Sequence, residues 1–123
     1  MNDTGEKKLS GLICAEAPDS GELILLRYED IVAVTTADRQ VMISTNIRDY
    51  LYKGSFSVIT ELLCSTGYFL KCNRNTLVNL RWVIRLEHWS NMRIILHIQS
   101  YNKARIVLSR QYLKDFKRMV GLP

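Results

Sequence analysis

The chain has 123 residues, of which 47% are apolar and 24% charged, and a net charge of +5. This is ordinary globular composition for one domain, large enough to bury a core without disulfides or a metal. It excludes a disordered tail and a collagen-like fibre, and no apolar run reaches the about eighteen residues of a membrane span. The polar start, Met1 to Ser10, lacks the apolar stretch of a signal peptide, so a cytoplasmic protein is expected. The three cysteines, Cys14, Cys64 and Cys72, are far apart and form no C-x-x-C pair. A disulfide framework and a structural zinc site are therefore not expected.

Charge divides the chain. Residues 1–61 carry 6 Lys/Arg and 10 Asp/Glu, a net of −4; residues 62–123 carry 11 and 2, a net of +9. A basic half of this kind suits a polyanionic partner.

Residues 1–19 read as a flexible leader or linker, and the domain is expected over 20–121. Short β-branched runs between turn residues predict strands at Glu22–Tyr28, Ile31–Thr36, Gln40–Thr45 and Arg48–Lys53. Arg39 stands at the tip of the hairpin between the second and third of these. At Ser55–Thr66 the period changes to helical. Phe56, Ile59, Leu62 and Leu63 form the stripe, with Ser55 as N-cap and Gly67 as the stop. Strands return at Tyr68–Cys72, around Leu77–Val78 and at Val83–Glu87. Arg93–Ile98 and Lys103–Leu108 form a second hairpin with Ile94, Leu96, Ile98, Ala104, Ile106 and Leu108 on its inner face. A last helix is expected from Arg110, with Ser109 as N-cap and Leu113, Phe116, Met119 and Val120 as its apolar stripe. Many short strands with two short helices, and no β-α-β rhythm, predict a mainly antiparallel β domain. No helix-turn-helix is visible.

Little in the chain points to catalysis. There is no glycine-rich phosphate loop, and His88 and His97 make no metal or catalytic constellation. The basic half offers no paired carboxylates for acid–base work. Lys71 and Arg74 flank Cys72 and would lower a thiol pKa, but an inert strand cysteine is the favoured reading. No catalytic residue, metal, cofactor or small-molecule substrate is expected.

Three arginines fall where a sheet fold exposes side chains. Arg39 is at a hairpin tip, Arg74 lies in the polar break Asn73-Arg74-Asn75, and Arg110 opens the last helix. A cation in a first helical turn opposes the helix dipole, and the free N–H groups there suit a phosphate. Arginine reads guanine with two hydrogen bonds, and the amides of Asn73 and Asn75 can read adenine or bind phosphate.

Phe69–Leu80, FLKCNRNTLVNL, resembles the signature of the LytTR DNA-binding domain. Ile106–Lys117, IVLSRQYLKDFK, resembles that family's closing pattern. Asp30-Ile31, Gly54-Ser55-Phe56 and Leu62 also fit, so the resemblance covers roughly residues 20–120. It implies an elongated β-sandwich of small antiparallel sheets with one or two short helices. It further implies a transcription regulator that reads double-stranded DNA with loops entering successive major grooves. By position its base contacts fall on Arg39, Arg74 and Arg110, with Lys71, Asn73, Asn75 and Ser109 as backbone contacts. Asn73 stands where the family usually has His, and Asn75 where it has Ser, so the preferred bases are expected to differ. A receiver domain, common ahead of such domains, has no room here. That suggests a stand-alone regulator or a fragment of a longer one, governed by expression level or by a membrane-bound partner.

The DNA-facing side shows no large apolar patch, so a monomer in solution is expected, with two copies loading on paired promoter repeats. The rival reading is a basic interaction module that docks on an acidic or membrane-bound regulatory partner. RNA binding is disfavoured because Tyr101 is the one aromatic near a loop tip, while Trp82 and Trp89 are expected in the core or at its rim.

Overall fold

Period-two alternation of apolar and polar residues runs through much of the chain, and ten strands result among the described residues. The computed structural model describes residues 11–88 and 93–123; Trp89 lies outside them. In chain order the strands are β1 (Leu12–Glu16), β2 (Leu23–Arg27), β3 (Ile31–Ala37), β4 (Gln40–Thr45), β5 (Asp49–Tyr52), β6 (Phe69–Asn73), β7 (Thr76–Asn79), β8 (Val83–His88), β9 (Ile94–Ile98) and β10 (Arg105–Leu108). Helix α1 (Phe56–Cys64) lies between β5 and β6, and α2 (Leu113–Val120) follows β10. Seven strands form one sheet in the order β2-β1-β5-β4-β3-β7-β6, and β10-β9-β8 form a second. Every pairing is antiparallel. No helix among the described residues is long and apolar enough to cross a membrane.

The large sheet has a core on each face. On one face α1 lays Ile59 and Leu63 against Ile31, Val34, Ile43, Phe69 and Leu77. Burial of those two helix residues contributes about 1.5–3 kcal/mol each at most. Ser55 caps α1, its hydroxyl accepting from the Val58 N–H at 3.2 Å. On the other face the small sheet and α2 cover β3, β7 and β6, where Leu70, Cys72 and Val78 meet Leu96, Ile106, Leu108 and Phe116. The inner face expected for the β9–β10 hairpin is the one found.

Strand β3 serves both cores through a bulge. Its register with β4 shifts between Ile31 and Ala33, so Val32 and Ala33 both face the small sheet while Ile31 and Val34 face α1. Asn79 closes the sheet below it. Fully buried, its amide donates to the Ile31 carbonyl and accepts from the Arg81 N–H, both at 2.9 Å. No polar atom of that amide is left without a partner, which is what its burial requires.

Two expectations are corrected. Strand β1 (Leu12–Glu16) lies inside the supposed leader, and Ile13, Ala15 and Ala17 are buried there. Alanine carries little strand propensity, so that alternation is faint in the sequence. The last helix begins at Leu113, not at Arg110; Arg110–Tyr112 form a 3-10 turn ahead of it. Ser109 makes no side-chain cap, and Met119 and Val120 of the expected stripe are exposed.

Candidate nucleic-acid interface

The fold gathers the three singled-out arginines at one end of the large sheet. The β3–β4 turn, carrying Arg39, lies beside the β6–β7 turn, carrying Arg74, because the Thr36 N–H donates to the Asn75 carbonyl at 3.0 Å. The β10 end, carrying Arg110, is fixed to the same place. Ser109 donates to the Cys72 carbonyl from its N–H at 2.9 Å and from its hydroxyl at 3.3 Å. All three arginine residues are exposed, and no ion pair among the described residues includes any of them.

Each loop is built by a distinct device. Asp38 and Arg39 occupy the two central positions of a tight hairpin turn closed by the Ala37–Gln40 pair, with φ of 51° and 65°. Positive φ is where glycine or asparagine is preferred, so an arginine there costs about 1–2 kcal/mol. The Arg74 turn is held by Asn73. Its amide nitrogen donates to the Val107 carbonyl and its amide oxygen accepts from the Asn75 N–H, both at 3.0 Å. One amide hydrogen and one lone pair of Asn73 remain. Arg110 sits in the 3-10 turn, where the Tyr112 N–H already bonds the Ser109 carbonyl and the Leu113 N–H the Arg110 carbonyl. Those two bonds close the turn behind Arg110.

Among the other expected contacts, Lys71 is half-buried on the α1 face, its ammonium 5.7 Å from the centre of the Phe56 ring. Asn75 is exposed, while Ser109 is half-buried with its hydroxyl hydrogen directed to Cys72. Lys53 was not anticipated. It lines a surface groove of about 160 Å3 together with Arg39, and its side chain is 74% exposed, with Glu16 at 3.7 Å. Its signal in the sequence was its place at the end of β5, which the hairpin register sets against β4.

The groups weighed for catalysis take structural places. Cys72 is fully buried, and burial pushes its thiol well above the ordinary range, so its basic sequence neighbours do not activate it. His97 bonds Glu87 at 2.8 Å and lies 3.1 Å from the Arg85 guanidinium on the outer face of the small sheet. That histidine bond holds the Glu87 carboxyl below the ordinary range. Trp82 is half-buried and donates its ring N–H to the Glu29 carbonyl at 2.9 Å. No group of three or more metal-ligating side chains occurs among the described residues.

Comparison with known proteins agrees with this fold. Residues 21–121 match the LytTr DNA-binding domain family. A sensory transduction protein LytR from Streptococcus mutans is 30% identical over 119 residues, 97% of this chain and 47% of that protein. Its namesake from Staphylococcus saprophyticus is 31% identical over 98 residues, 80% of this chain and 37% of that protein. The chain thus spans about half or less of these relatives. A LytTr DNA-binding domain from Bacillus cereus superposes with a TM-score of 0.79 at 17% identity, covering 91% of this chain and 98% of that one.

Proposed function

The chain belongs to the LytTr DNA-binding domain family, and on that premise we propose that it is a transcription regulator that reads duplex DNA with Arg39, Arg74 and Arg110. One observation carries the reading: three loops, tied together through hydrogen bonds of their flanking residues, each present at the same end of the sheet an exposed arginine with no carboxylate partner among the described residues. A charge left unneutralised by its own protein is available to neutralise another molecule. The planar fork of arginine also suits the guanine edge in the major groove.

The remaining residues take supporting roles. Lys71 and Asn75 contact phosphates; Lys71 is steadied by Phe56, which limits the rotamer freedom lost on binding. Asn73 sets the turn and offers its spare amide hydrogen to the backbone. Ser109 fixes where Arg110 emerges. Affinity comes largely from counterion release, with a log–log salt slope of about −0.9 per phosphate neutralised. Two copies occupy paired repeats of a promoter.

Selection of bound duplexes from a random pool tests the reading, with Arg110→Ala run in parallel. An enriched repeated motif that blurs in the variant is the expected result. Uniform, salt-sensitive binding with no enrichment would leave the basic half as a docking surface for an acidic partner.

A further inference from the structure

Between the small sheet and the β3–β4–β5 part of the large sheet lies a cleft of about 430 Å3. Small-molecule sites span about 300–1,000 Å3. Strand register sets its floor: Ser44 stands between Ala33 and Asp49, and Met42 beside Thr35. Ile98, Ile106 and the β9–β10 turn form the opposite wall. One group of the floor is out of balance. Asp49 Oδ1 is buried with no hydrogen-bond partner among the described residues, and no ion pair among them includes Asp49. Its neighbour Arg48 is spent on Asp19. Arg105 shares a register row with His97 on the outer face of the small sheet, where its charge acts on Glu87. The Tyr101 hydroxyl reaches the Asp49 carboxylate from the β9–β10 turn, and that hydrogen bond raises the Tyr101 pKa above its ordinary value. Oδ1 is still left without a donor. Burying a carboxylate oxygen unserved is costly, so such an atom marks a place that suits a donor.

We infer that this cleft is a binding site for a small organic cation, an ammonium or amidinium head on an apolar body, with Asp49 as the residue that holds the head. A charged N–H donor bonds a carboxylate about twice as strongly as a neutral one. Met42, Ile98 and Ile106 fit an apolar body, and Ser44 adds a hydroxyl beside the carboxylate. A calcium ion fits poorly, since it takes about six to eight oxygen ligands and Asp49 is the one carboxylate lining the cleft. Both walls are set before a ligand arrives. The buried Thr45 donates its hydroxyl to the Arg48 carbonyl at 2.8 Å and so shapes the turn that leads into Asp49. Across the cleft, the Ser100 hydroxyl donates to the Asn102 side chain at 2.7 Å and accepts from the Ala104 N–H at 3.2 Å. Such preorganisation limits the entropy lost on binding. Glu16 pairs with Leu51, so the chain enters β1 about 20 Å away from Asp49 along the strands. Strand β8 lies at the far edge of the small sheet. None of Arg39, Arg74 and Arg110 lines the cleft.

Titration of the isotope-labelled chain with benzamidine, followed through its amide chemical shifts by NMR, tests this directly. Shifts are expected at Ser44, at Asp49 and over residues 100–104. Benzamide has nearly the same shape without the charge, and it is expected to bind about tenfold more weakly. Asp49→Asn keeps the shape of the side chain and should erase that preference for charge. Ser44→Leu fills the floor beside the carboxylate and leaves its charge, and it should weaken benzamidine about tenfold or more. Circular dichroism checks that both variants fold. Arg110→Ala should bind benzamidine like the wild type, which separates this inference from the DNA reading. Equal binding of the two probes, a preference for charge that survives Asp49→Asn, or no shifts up to about 10 mM benzamidine would overturn it and leave the cleft to water.

Discussion

The two edges of the seven-stranded sheet handle polar groups in opposite ways. At the β6 edge, Asn73 and Ser109 tie the strand to β10, and polar side chains are consumed in building loops. The cations those loops carry have no ion-pair partner among the described residues. Toward the β2 edge the reverse holds. Arg48 is bonded to Asp19 at 2.9 Å and Lys53 faces Glu16 at 3.7 Å, while Leu23 and Leu25 stand in water. The unpaired charge at the first edge suits a polyanion.

The sharpest way to break the comparison is at the basic end. Arg74→Ala and Arg110→Ala should each cost about 1–3 kcal/mol of binding to the selected duplex and less on random DNA, read by fluorescence anisotropy. Equal losses on both DNAs would demote these residues to phosphate contacts. Asn73→Ala removes two hydrogen bonds without removing charge. It should lower stability by about 1–3 kcal/mol in urea titrations and weaken DNA binding by displacing the Arg74 turn. Lys71→Ala should weaken all duplexes about equally and make the log–log salt slope shallower by about 0.9.

Arg39→Gly should move two quantities in opposite directions. The left-handed turn relaxes, raising the urea midpoint by about 0.5–1 kcal/mol in stability, while DNA affinity falls. A variant that is stabler and binds as well as the wild type would remove Arg39 from the interface. The smallest effect belongs to the opposite edge. The Arg48 hydrogen bond holds the Asp19 carboxyl below its ordinary range. Its contribution is therefore present above the unfolded value, about pH 3.9, and is lost as pH falls through the lower folded one. Thermal melts across that window should show an Asp19→Asn chain losing slightly less stability than the wild type.

The strands, the α1 cap and the arginine positions were legible because each rests on local signals: alternation, a serine before a helical period, polar breaks between apolar runs. What escaped depends on contacts distant in sequence. β1 was passed over because Ala15 and Cys14 mark a strand only when paired with β2. Ser109 reads as a helix cap until the Cys72 carbonyl, 37 residues away, takes its hydroxyl hydrogen. Asn79 stands in a motif that suggests recognition, yet its amide is fully used inside the sheet. The gathering of the three loops follows from sheet order, which no local pattern encodes.

The bulge at Val32–Ala33 also governs how the molecule opens. A regular strand would feed one core with every second residue and show the other side to water or to a single partner layer. With its phase slipped by one residue, β3 supplies two adjacent side chains to one layer and its flanking residues to the other. Loss of β3 therefore removes the wall common to both cores at once. Amide hydrogens behind α1 and those beneath the small sheet should then exchange with solvent through the same opening, at matching rates, so the two faces melt together as one cooperative unit.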